Sequence, residues 1–101
     1  MSKTTEFHGA KLFDEHGKAI GDVSDVIYET ASDTPTWLVV NPGLLRAEHY
    51  VPAQGAYRTT DDAVVVPFPA EQVKAAPKAK RDHVLDNKIR STLTRHYHLD
   101  S

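Results

Sequence analysis

Lys11-Leu-Phe-Asp-Glu-His-Gly-Lys-Ala-Ile-Gly-Asp-Val-Ser-Asp-Val-Ile-Tyr28 sets two β-type runs around a Gly-containing turn. Lys11–Asp14 is the first run and Ala19–Glu29 the second, with Glu15-His-Gly-Lys18 as the hairpin turn between them. The second run does not alternate cleanly. Its apolar residues Ile20, Val23, Val26 and Tyr28 step by three and then by two, and Gly21 lies inside it, which is how a bulge or sharp bend reads in sequence. A bent strand can serve two sides of a small barrel.

Outward from this hairpin the runs stay short and the separators stay turn-like. Thr30-Ala-Ser-Asp-Thr-Pro35 is a polar turn, Thr36–Asn41 is the most apolar strand, and Pro42-Gly43 ends it. The unbroken Trp37-Leu-Val-Val40 predicts burial on both faces, at a barrel centre or at an interface. His49–Ala53, Ala56–Thr60 and Ala63–Phe68 follow, divided by Gln54-Gly55 and by Asp61-Asp62. Six strands in a meander predict an all-β, six-stranded antiparallel barrel, whose closure removes the free edges that invite aggregation. After Pro69 the residues Ala70–Ala75 can make one helical turn, and Pro77 stops it. Ala75–Arg81 reads as a loose Ala/Lys linker. From Asp86, a candidate N-cap, Ile89, Leu93 and Tyr97 recur every four positions and predict a C-terminal helix over Asn87–His98 with one apolar stripe. The expected organisation is a barrel over residues 1–77, a linker over 78–85 and an amphipathic helix over 86–99.

These pieces, notably Ile20-Gly21-x-Val23-x-Asp25-Val26, Trp37-Leu-Val-Val40, Gly43-Leu44, Tyr50-Val-Pro52 and Val66-Pro67…Gln72-Val-Lys-x-Ala-Pro77, resemble the PRC-barrel family in order and spacing. That family includes the cytoplasmic domain of the photosynthetic reaction-centre H subunit, the C-terminal part of a ribosome maturation factor, and small free-standing prokaryotic proteins. The resemblance implies an SH3-like barrel and an interaction or RNA-processing role, and it transfers no catalytic residue set. Tails of this type often carry Gly where this chain has His98, so the resemblance implies a less sharply ended helix here.

Composition narrows the function classes. A chain of 101 residues is one domain that buries roughly two-thirds of its unfolded surface, so an oligomer interface is a natural addition. There is no cysteine and hence no disulfide to staple the fold. No run approaches the roughly eighteen apolar residues of a membrane span, and Met-Ser-Lys-Thr-Thr-Glu-Phe-His8 has no signal-peptide core, so a cytoplasmic protein is expected. The net charge of −2 divides unevenly: residues 1–73 hold 5 Lys+Arg against 11 Asp+Glu, and residues 74–101 hold 7 against 3. An acidic body with a basic tail results, which ordinary solvated charge already accounts for.

The candidate chemistry is sparse. His96-x-His98 is the close pair among six histidines, but residues two apart on a helix point to different sides and no Cys or nearby Glu completes a tetrahedral set. Asp61-Asp62 has the make-up of a hairpin turn before that of a paired-carboxylate site. Asp22 and Asp25 flank the bend and are better placed to accept from loose backbone N–H groups there than to line a small site. Pro42-Gly-Leu-Leu-Arg46 differs: two leucines in a turn either plug a barrel end or form a contact surface. The expectation is a non-catalytic, cytoplasmic interaction module without cofactor or metal, self-associating as a homodimer and binding a protein partner. Its contact surface is formed or bordered by Trp37, Leu44, Leu45 and Tyr50, with Leu93 and Tyr97 on the helix. The rival reading is an RNA- or ribosome-associated module using Lys74, Lys78, Lys80, Arg81, Lys88, Arg90 and Arg95. Because no four ligands have workable spacing, chelator treatment is expected to leave the melting temperature unchanged; a large drop reversed by zinc would contradict this.

Overall fold

The computed structural model describes residues 7, 9–28, 36–43, 47–59 and 61–99. Among the described residues six strands are present: β1 (Lys11–Asp14), β2 (Ala19–Ile27), β3 (Trp37–Asn41), β4 (His49–Pro52), β5 (Tyr57–Arg58) and β6 (Val64–Val66). Two helices follow, α1 (Ala70–Lys74) and α2 (Asn87–His96). The described strands and helices fall where hydrophobic patterning and turn chemistry place them, with no end trimmed by more than two residues. No helix among the described residues is long and apolar enough to cross a membrane.

The topology departs from the expected closed antiparallel barrel in two ways. The sheet order is β4-β3-β2-β1-β6-β5, and β1 pairs with β6 in parallel, Leu12 opposite Val64 and Asp14 opposite Val66. An unbroken meander would set its first and sixth strands antiparallel. Among the described residues β5 pairs only with β6, and the Ala53–Ala56 connection, closed by Ala56 N–H donating to Ala53 O at 3.0 Å, turns a corner instead of forming a hairpin. Nor does the sheet close. The outer edge of β4 is met by the chain after α1, through a bridge between His49 and Lys78 and a 2.7 Å bond from Ala79 N–H to Glu48 O. The partner that β5 would need to close a ring is thus already used. The segment expected as a loose linker is bonded to the sheet instead.

β2 carries two bulges. Its register against β1 skips Ile20, and its register against β3 skips Ser24, so that Val23 faces Val40 while Asp25 faces Val39. Each extra residue turns the side-chain alternation by one position, which is why Ile20, Val23 and Val26 are all buried despite their three-residue steps. Gly21 is required between the bulges. A Cβ there would lie 2.7 Å from Pro42 Cα and closer still to Asn41 O, both backbone atoms that cannot swing aside.

The core takes one cluster from every strand but β5. Leu12, Leu38, Val39, Val40, Tyr50, Val51, Val64 and Val66 are fully buried, and Val73 of α1 and Leu93 of α2 join them. The α2 stripe therefore docks on its own chain. Tyr97, the helix C-cap, stacks edge-on to Phe68 at 5.0 Å and tilts against Trp37 at 6.4 Å, and its hydroxyl donates to Tyr50 O at 2.6 Å. Gln72 and His96 bond each other reciprocally: the Gln72 amide donates to His96 O at 2.9 Å, and His96 Nε2 donates to Gln72 O at 2.7 Å.

Both ends of α2 are capped. Asp86 Oδ1 accepts from Ile89 N–H at 2.8 Å, as its sequence position predicts, and this bond holds its carboxyl below the usual range. At the other end His98 has φ +59°, with His98 N–H donating to Arg95 O and Leu99 N–H to Thr94 O. These two bonds define a Schellman motif built around a histidine at the left-handed position, so the end expected to be loose is sharply made. A side chain in that region costs about 1 kcal/mol, which glycine avoids in part. His98→Gly is accordingly expected to raise stability by ~0.5 kcal/mol, read as a higher melting temperature; a lower one would show that the left-handed turn is unstrained.

Candidate functional site

Of the residues expected at a contact surface, Trp37, Tyr50, Leu93 and Tyr97 are placed in the core, none more than 3 % exposed. Their aromatic and apolar bulk is spent on joining α2 to the sheet. Leu44 and Leu45 lie outside the described residues. A contact surface made from the described part of the chain must therefore use other residues, and two surface regions present themselves.

The first is an open hollow of about 350 Å³ lined by Pro42, Ala47, His49, Lys74, Ala76 and Lys78. It is positioned by the same connection that covers the edge of β4. His49 Nδ1 donates to Ala76 O at 3.0 Å, which fixes the ring tautomer and ties the end of α1 to β4. Lys74 ends α1 and Lys78 sits in the bridge to His49, so two lysines border one concavity whose other lining residues are His49 and the small apolar Pro42, Ala47 and Ala76.

The second region is a cluster around His83, in the chain between Lys78 and Asp86. Its Nδ1 lies 2.9 Å from Asp25 Oδ2 and its Nε2 2.8 Å from Glu48 Oε1, so the ring stands between two carboxylates drawn from β2 and from the approach to β4. Asp25 is held by its second oxygen, which accepts from Val26 N–H at 2.8 Å beside the bulge. The bulge residue Ser24 donates to Glu48 Oε2 at 2.5 Å. That hydrogen bond, more than the ring, keeps the Glu48 carboxyl below its usual range against the opposing effect of burial. Burial disfavours the charged imidazole, but the two carboxylates outweigh it and push His83 above its ordinary value.

The connectivity decides what this cluster can do. A serine nucleophile needs its proton taken by an imidazole nitrogen, whereas Ser24 gives its proton to a carboxylate and both ring nitrogens are engaged elsewhere. For a metal, two nitrogens on opposite sides of one ring cannot converge on one ion, and no group of metal-binding side chains is formed among the described residues. The cluster is a clamp. Tyr50 reinforces it from β4, where its phenol donates to Val84 O at 3.0 Å and accepts from Lys80 N–H at 3.3 Å.

The other candidates fall where turn chemistry would have them. Asp62 closes the β5–β6 hairpin with φ +62° and pairs with Arg58 at 3.0 Å, while Asp61 N–H donates to Thr59 Oγ1. Asp22 is exposed on β2. His96 faces α1, while His98 is exposed beyond the helix, so the pair does not converge. Asp14 is a buried carboxylate that sequence reasoning passed over. It accepts from the backbone N–H groups of His16, Lys18 and Ala70 at 2.9 to 3.0 Å, and these bonds overcome burial to hold its carboxyl below the usual range. An Asp three residues ahead of a turn glycine was the available signal.

An open sheet with a bulged, Gly-containing second strand and an apolar Trp-led third strand, carrying a short helix after β6, is the arrangement on which the comparison with known families bears. The model of the PRC-barrel domain matches residues 1–73. The chain belongs to the PRC-barrel family. In this PRC-barrel protein the matched stretch runs from before β1 into α1, and the clamp residue His83, Lys78 of the hollow and the whole of α2 lie beyond it. No curated protein gives a significant match to the chain.

The clamp makes the Tyr50 hydroxyl a structural requirement that its ring packing does not replace. Tyr50→Phe keeps the buried ring and strands Val84 O and Lys80 N–H; it is expected to cost ~1–3 kcal/mol in equilibrium unfolding. Faster amide exchange at Lys80 should accompany that loss, and an unchanged unfolding midpoint would count against the role.

Proposed function

We propose that this PRC-barrel protein is a non-catalytic, cytoplasmic interaction module that self-associates as a homodimer and presents a surface to a protein partner. The observation that carries the reading is the hollow between the β3–β4 connection and the end of α1. Two lysines border it together with His49 and the small apolar Pro42, Ala47 and Ala76, and in sequence Leu44 and Leu45 fall between two of those lining residues. The body that a second copy would bring is acidic, with 11 Asp+Glu against 5 Lys+Arg over residues 1–73. Charge complementarity of that kind fixes orientation and on-rate, while the apolar residues supply the burial.

The RNA reading draws on the same cations but has less to work with. Lys80 is paired with Asp86 at 3.3 Å, and Arg90 donates to Asn87 at 2.8 Å. Arg90 and Arg95 line a separate hollow with Ser91 and Thr94 on α2, apart from Lys74 and Lys78.

Light scattering after size exclusion tests the proposal. At concentrations of about tens of micromolar and low salt the mass should be twice that of the chain, falling towards the monomer in roughly 1 M salt, where the Debye length is about 3 Å. Lys74→Glu with Lys78→Glu should give the monomer already at low salt. A wild-type monomer at low salt refutes self-association, and salt-dependent retention of single-stranded RNA by that monomer would favour the rival reading.

A further inference from the structure

The His83 cluster has no counterpart in the interaction reading, and its construction is unusual in three respects. The ring is only 21 % exposed, it joins two carboxylates 35 and 58 residues away in sequence, and its residue has φ +57°, a region that side chains other than glycine rarely adopt. Glycine would be the natural occupant of such a turn. A histidine there makes sense if the ring does something that repays the backbone strain.

An imidazolium donates from both nitrogens, so it satisfies Asp25 and Glu48 at once. Neutral imidazole has one N–H. Whichever carboxylate it keeps, the other then faces a ring lone pair, and the contact turns from attraction to repulsion. Glu48 retains Ser24 and Asp25 retains Val26 N–H, so neither carboxylate is stranded when the ring lets go. The cluster is thus built to survive release, unlike a buried ion pair whose loss leaves an uncompensated charge.

We propose that His83 is a proton-operated latch: protonated, it holds the connection between α1 and α2 on the sheet through Asp25 and Glu48, and neutral, it drops one carboxylate and lets that connection lift from the edge of β4. The latch holds more than itself. Ala79 N–H on Glu48 O, the His49–Lys78 bridge and the Tyr50 hydroxyl on Lys80 and Val84 all lie on the same stretch. Lifting it uncovers the backbone of Glu48 and His49, the outer edge of the sheet.

Among the described residues the charged groups facing the ring are Asp25 from β2 and Glu48 from the approach to β4. Ser24 faces Glu48 from the bulge, and β4 contributes the Tyr50 phenol. On the ring's own stretch, Lys80 is engaged with Asp86 at the head of α2, and Asp82 accepts from Val84 N–H, while Arg81 is exposed. The sign follows from the two partners. His83 is raised above 6.5 in the folded chain, so its contribution is complete below 6.5 and is lost as pH rises through the higher folded value. Glu48 is lowered from 4.5, so its contribution is present above 4.5 and is lost as pH falls through the lower folded value. The latch is closed between those limits and opens on the alkaline side.

The test needs no variant to begin with. In the full chain, NMR titration of the His83 ring should give a midpoint above 6.5, and the exchange protection factors of the Ala79 and Lys80 amides, corrected for intrinsic rates, should fall about tenfold or more from pH ~6 to ~8.5 in step with it. The Leu38 and Val40 amides of the sheet centre should hold their protection over the same range. His83→Gln, which can donate to one carboxylate at any pH, should flatten the dependence. A ring midpoint at or below 6.5, or protection at Ala79 and Lys80 that does not vary with pH, overturns the proposal, even if His83→Gln does not fold. Because these readings concern one chain, they stand or fall separately from self-association.

Discussion

The docking of Tyr97 is the contact on which the rest of this small protein leans. Its ring lies between Phe68, which leads into α1, and Trp37, which starts β3, and its hydroxyl reaches the Tyr50 carbonyl in β4. A ten-residue helix is marginal alone in water, so α2 exists because Leu93 and Tyr97 are buried. The dependence is mutual. An open six-stranded sheet has one face to cover, and without α2 the Trp37 and Phe68 rings would border water. Burial also holds the Tyr97 phenol well above its ordinary titration range, so the hydroxyl is a donor at neutral pH.

Apart from the His83 cluster, several polar side chains are spent on backbone ends. Asp14 collects three amides at the β1–β2 turn and the start of α1, Asp86 caps α2, Thr59 orders the β5–β6 turn, and Tyr50 bridges two points of the connection after α1. These side chains near chain reversals thus satisfy N–H or C=O groups that no ladder reaches. The arrangement accounts for so short a chain holding its final third in place without a disulfide.

Local rules made the elements legible, and non-local geometry hid the rest. β1 and its turn, the N-cap Asp86 and the apolar stripe of α2 were readable because each depends on residues within one turn or one hairpin. Even the bulges announced themselves in the three-residue steps of Ile20, Val23 and Val26. The parallel β1–β6 ladder left no such mark, since a buried three-valine strand has the same pattern in either sense. His83 was invisible for a similar reason: its partners are distant in sequence, and a histidine among Lys, Arg and Asp reads as solvated surface. Trp37, Tyr50, Leu93 and Tyr97 read from sequence as a contact surface, because apolar and aromatic bulk looks the same whether it meets a partner or the chain's own core, where all four are buried.

The β1–β6 ladder has a consequence for how the chain comes to be folded at all. Leu12 and Val64 are neighbours across about fifty residues, so β1 and β2 can pair as a local hairpin long before the other side of β1 finds its strand. Until Val64–Val66 are in place, β1 has one edge bare. β1 ends in a charged aspartate and begins in a lysine, a composition that discourages the wrong strand from adding there in the interval. The topology thus separates a pairing that closes locally, the β1–β2 hairpin, from a ladder that must close a loop of about fifty residues.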